Sequence, residues 1–111
     1  MGSSSSKGSS FGDRVVESGL WFSEAKELHK SLPRTLEMEL NMTLSTAMLC
    51  VMDAQIHCPE ALDRLADLME GGRVFQHVSQ ITDHNELWAY TRELDYMSDY
   101  LTEAVEKKKA E

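Results

Sequence analysis

An all-α fold, a small four- or five-helix bundle behind a disordered Ser/Gly-rich tail, is predicted by three observations. Apolar residues recur at three- and four-residue spacing through most of the chain. No stretch of useful length alternates with the two-residue period of a strand. Helix-start and helix-stop chemistry recurs where the apolar pattern changes. The 111 residues suffice for one domain, placed at residues 12–111.

Residues 1–11 are expected to be a disordered tail or an expression remnant. Residues 1–10 contain six Ser and two Gly and have little apolar surface to offset the entropy of ordering. Helical patterning begins near Asp13, a candidate N-cap. Trp21, Ala25, Leu28 and Leu32 form one apolar stripe, with Val16 and Leu20 on an adjoining one. Gly19 marks a candidate break, and Pro33 separates this segment from the next.

The segment 34–57 carries two apolar stripes. One is Leu36, Leu40, Leu44, Ala47, Val51 and Ala54; the other is Met38, Met42, Ser45, Leu49, Met52 and Ile56. A helix apolar on both sides belongs at the centre of a bundle or at an interface. Cys58-Pro59-Glu60 marks a break and a restart, with Pro59 at the first helical position. A third helix, about 59–69, presents Leu62, Leu65 and Met69, and Gly71-Gly72 stops it. A short fourth helix is expected over 73–81, with Val74, Val78 and Ile81 in register and Phe75 beside them. Asp83-His84-Asn85-Glu86 has the form of a capping box and opens a long helix over 84–108. Its stripe is Leu87, Tyr90, Leu94, Met97, Leu101 and Ala104. Short connections predict antiparallel packing of consecutive helices.

Composition argues against several classes of function. A formal charge of −8 disfavours generic nucleic-acid binding and a basic membrane-surface helix. The most apolar run, Met42 to Ile56, is 15 residues long and includes Asp53, too short to span a bilayer. The N-terminus lacks the continuous apolar region of a secretory signal. Cys50 and Cys58, if on one helix, lie roughly 12 Å apart, beyond the ~7 Å Cα limit of a disulfide. Free thiols suit a reducing compartment, and a cytoplasmic location is expected. The sequon Asn41-Met42-Thr43 reads as chance inside an apolar helix pattern.

Cys50, His57 and Cys58 lack the paired spacing of a zinc site, so neither a metal nor another cofactor is expected. Cys58 stands where a helix dipole lowers a thiol pKa, a setting for redox sensitivity, against a plain structural role. No nucleophile elbow or phosphate-binding loop occurs, and the chain is read as not an enzyme, with no catalytic residue assigned. Two binding faces remain. Met38, Met42, Met48, Leu49, Met52 and Ile56 form an apolar face, rich in the adaptable methionine side chain. Trp88, Asp95, Tyr96, Asp99, Tyr100 and Glu103 form an acidic and aromatic face, since residues 83–106 hold seven acidic residues and one basic residue, Arg92. For the first, the bland alternative is core packing; for the second, a solvated outer surface and covered helix seams.

The stretch Asp83-His84-Asn85-Glu86-Leu87-Trp88 through Glu93-Leu94, with Pro59-Glu60-Ala61-Leu62, resembles phasins, helical proteins that coat polyester storage granules. That resemblance covers at most half the chain, rests on helix-start chemistry and carries over no functional residue. It implies a granule-surface role. The residues themselves point to a non-enzymatic interaction module (an adaptor, regulator or inhibitor) whose partner is a protein or a second copy meeting segment 34–57. An acidic mimic of nucleic acid that blocks a basic protein is the other alternative.

Overall fold

The computed structural model describes residues 7–111, with side chains described from Phe11 onward. Five α-helices follow in order: α1 (Lys7–Glu24), α2 (Lys26–Ser31), α3 (Arg34–His57), α4 (Pro59–Leu68) and α5 (His84–Ala110). Two 3-10 turns, Arg73–Phe75 and Val78–Gln80, lie between α4 and α5. There is no strand among the described residues, and the all-α bundle expected from periodicity is what forms.

The first helix already includes Lys7, the first described residue, and so begins ahead of the Asp13 start expected from its capping chemistry. Phe11, assigned to the tail by composition, is fully buried and packs on Phe75 with ring centroids 5.0 Å apart. The tail expectation for residues 1–6 lies outside the described residues. The stripe chosen for this segment is also corrected. Phe11, Val15, Ser18 and Phe22 face the core, whereas Leu20 and Trp21 are exposed. Polar Ser18 disguised the true stripe. It is buried because its hydroxyl accepts the Val78 N–H at 3.1 Å.

Gly19 marks no break. It is a place of close approach to α3, for a Cβ there would collide with Met48 Sδ. The chain instead breaks at Ala25, and α2 follows as a short separate turn of helix. His29 of α2 clips the corner: its Nε2 lies 2.9 Å from the Phe22 carbonyl oxygen and its Nδ1 3.1 Å from the Glu37 carboxylate.

In α3 the stripe Leu36, Leu40, Leu44, Ala47, Val51 and Ala54 is the buried one. The largest helix contact is between α3 and α5, and α1 packs on α3 and α4. Cys50 Sγ meets Thr102 Oγ1 at 3.4 Å, while Asp53 and Ile56 share a groove with Glu106 and Lys109, so α3 and α5 run the same way. Glu60 pairs with Lys108 at 3.1 Å and Arg64 reaches Tyr100 at 3.4 Å, so α4 runs against α5. Consecutive helices α3, α4 and α5 are therefore antiparallel in turn, as short connections require.

Gly71, with φ of 86°, occupies the left-handed region that stops α4, as its sequence position predicts. The α-helix expected over 73–81 does not form. Several of its backbone donors are taken by side chains, from other elements and from within the segment. Glu93 Oε1 accepts the N–H groups of Arg73 and Val74 at 2.8 and 3.3 Å, Ser18 accepts that of Val78, and the His77 ring accepts that of Ser79. The inward residues were nevertheless read correctly, because Val74, Val78 and Ile81 are buried.

Asp83 caps α5 by accepting the Glu86 N–H at 3.1 Å. The reciprocal half of the capping box is diverted: Glu86 forms a two-point pair with Arg73 at 2.7 and 3.0 Å, and Arg73 reaches Glu93 at 3.0 Å. These bonds hold the Glu86 carboxyl below its ordinary pKa and raise that of the Arg73 guanidinium. Along α5, Val105 joins the predicted stripe, and Thr91 and Ser98 are buried with their hydroxyls bonded to the carbonyls of Leu87 and Leu94 at 2.8 Å. The Tyr90 hydroxyl is enclosed near Ser18 without a hydrogen-bond partner, and burial pushes its pKa up to about 12.

Candidate interaction surface

The second stripe of α3 faces outward. Met38 is 52% exposed, Met42 66%, Leu49 68%, Met52 47% and Ile56 75%, so five large apolar side chains stand in water along one helix. Ser45 completes the row and is exposed. Single exposed apolar residues are ordinary on a protein surface; a contiguous row is the kind of patch that often marks a binding surface. The row follows from the sequence directly, since its spacing alternates between four and three residues, the 3.5-residue repeat of a helix–helix seam.

The neighbours of α3 leave this seam open. On one side α1 approaches, with Gly12 against Val51 and Gly19 against Met48. Met48, assigned to the apolar face, is half-buried there and does not belong to the outer row. On the other side lies α5. Between them Leu49, Met52, Ile56, Leu101 and Val105 line a groove of about 470 Å³ edged by Asp53, Glu106 and Lys109. A second, more open hollow of about 440 Å³ lies further toward the start of α3, against Met38, Met42 and Ser45. The α5 wall was missed at the sequence level. The larger apolar Val105, directly after the Ala104 at which the predicted stripe ended, was the available signal.

The acidic and aromatic set divides. Asp95, Tyr96, Asp99 and Glu103 are exposed and Tyr100 is half-buried, whereas Trp88 is part-buried against the core. Tyr96, Asp99, Tyr100 and Glu103 line a groove of about 290 Å³ together with Arg64 and Lys107. Two cations therefore stand among the carboxylates. The tyrosine–arginine contact there raises the Arg64 pKa through the Tyr100 hydroxyl. Arg64 reaches this face from α4, far away in the chain, so the mixed charge was invisible to a reading of α5 alone.

The cysteine and histidine positions are settled by packing. Cys50 and Cys58 are free, as their spacing predicts. Cys58 does stand at the N-cap of α4, but it is buried. His57 sits 3.5 Å from Asp53 on its own helix. Among the described residues no group of three or more His, Cys, Asp or Glu side chains is placed to hold a metal ion. No helix among them is long and apolar enough to cross a membrane.

One electrostatic tie joins α4 to the end of α5. The Glu60 carboxyl is held below its ordinary pKa by the backbone N–H at the start of α4 and then by Lys108, whose own pKa rises in return. What the geometry offers is thus an apolar ridge and groove on α3 and α5, with a charged groove on the far side of α5. Compared with known proteins, the chain matches no family model, no curated protein and no solved structure.

Proposed function

We propose that this chain is a non-enzymatic protein–protein interaction module that works through the outer row of α3 and the groove beside it. One observation carries the reading: Met38, Met42, Leu49, Met52 and Ile56 are each about half exposed or more on a single helix face. Surface of this kind is costly to leave in water, and its apolar seam spacing suits an opposing helix. Three of the five are methionines, whose flexible thioethers fit irregular partners. The free thiols of Cys50 and Cys58 suit action in a reducing compartment such as the cytoplasm.

The role of acidic mimic draws on Asp95, Asp99 and Glu103. It loses support because Arg64 and Lys107 interrupt that face. The test compares affinity capture by the parent chain with capture by a Leu49→Asp variant, at low and high salt. A contact through α3 survives high salt in the parent and is lost in the variant. Identical captured proteins in both, or loss at high salt with Leu49 intact, refutes the reading.

A further inference from the structure

The geometry points to a second copy of this chain as the occupant of the α3 face, the two α3 helices lying antiparallel about a two-fold axis at the level of Ala47. This rests on the interaction-module reading above and names the partner it leaves open. Positions 38, 42, 45, 49, 52 and 56 are symmetric about residue 47. Antiparallel pairing therefore sets Met38 against Ile56 of the second copy, Met42 against its Met52, and Ser45 against its Leu49. The small Ser45 meets the large Leu49 at the layers beside the axis, which lets the helices interdigitate. An isologous contact of this kind uses one patch twice and closes on itself.

Area supports the assignment. The five exposed side chains leave several hundred Å² of apolar surface per copy, the range of the largest patch on a typical monomer (about 300–600 Å²). Two such faces together approach the roughly 1,000 Å² that a specific interface needs. The grooves are placed to help. Met38 and Met42 of one copy arrive beside Ile56 and Met52 of the other, at the edge of the hollow walled by Leu101 and Val105.

Charge opposes the contact and so labels it. Each copy carries −8, and the antiparallel register brings Glu39 near Asp53 of the second copy on the α5 side. Added salt screens that repulsion, so self-association strengthens with salt. A basic partner docked on the same face would instead be weakened by salt.

Sedimentation equilibrium of the full chain at low and high salt tests this, alongside Leu49→Asp and, as a control, Leu68→Asp on the exposed end of α4. Leu49 and Leu68 are both exposed, so neither change reaches the core. The parent and the Leu68 variant are expected at twice 12.6 kDa, more tightly at high salt. The Leu49 variant weakens roughly tenfold or more. Register is read with a short bismaleimide in a Cys50→Ser, Cys58→Ala background. Thr46→Cys, close to the axis, links to its own copy, while Thr35→Cys, roughly 36 Å from its counterpart at 1.5 Å per residue, does not. A monomer at all concentrations, a Leu49→Asp variant that dimerises like the parent, or linkage at Thr35 overturns the assignment. Failure by monomery leaves the wider reading to the capture comparison, which a monomer with an intact α3 face still passes.

Discussion

Replacing Phe11 by alanine asks whether the helical domain extends into the Ser/Gly-rich segment. The side chain is fully buried, its ring is 5.0 Å from that of Phe75, and Val15 and Phe22 continue the same stripe along α1. Deleting a buried phenylalanine ring removes its transfer free energy and leaves a cavity, about 3–5 kcal/mol in well-packed cores. The lost aromatic pair is worth a further ~0.5–1.5 kcal/mol. A small domain has only about 5–15 kcal/mol of stability to lose, so the effect is a large fraction of the whole. Urea unfolding followed by far-ultraviolet circular dichroism is the assay. With a slope of about 1–3 kcal/mol/M, the midpoint should fall by more than ~1 M. Parent and variant must be compared at one protein concentration, because self-association adds to apparent stability. Leu68→Ala, exposed on α4, is the control and should shift stability by no more than about 0.5 kcal/mol. A Phe11→Ala midpoint equal to that of the control would mean that residue 11 belongs to a tail and that the α1 packing described above is wrong.

Other perturbations test separate links. Ser18→Ala strands the buried Val78 N–H and should cost about 1–3 kcal/mol in the same assay; a cost near zero would show that this N–H finds another acceptor. Tyr90→Phe removes a buried hydroxyl that has no partner, so the variant should be as stable as the parent or more stable, and a clear loss contradicts the packing around Ser18. Glu86 has its carboxyl pKa lowered by Arg73 from an ordinary 4.5, so its contribution is present above that value and is lost as pH falls through the lowered one. The parent should therefore lose urea resistance on acidification more steeply than Arg73→Gln, and matching acid limbs would remove the Arg73–Glu86 pair from the account.

Much of the fold was legible because helix periodicity and end chemistry are local. The inward residues of α3 were read from spacing alone, as were Pro59 at the start of α4, Gly71 at its stop and Asp83 at the cap of α5. The second stripe of α3 was legible as apolar for the same reason, but whether it lay inside the bundle or faced outward was left open by the sequence and decided by where α1 and α5 pack. Only the tertiary structure decided which stripe of α1 turned inward, because the buried face includes Ser18, whose acceptor role depends on Val78 sixty residues on. It also decided against a helix over 73–81, where Ser18 takes the Val78 N–H that a helix would have used internally and Glu93 anchors the N–H groups of Arg73 and Val74. Arg64 among the carboxylates of α5 and Leu101 and Val105 in the wall of the α3 groove belong to the same class. Periodicity says which side of a helix is apolar; what stands opposite each side is set by long-range packing, which no local pattern encodes.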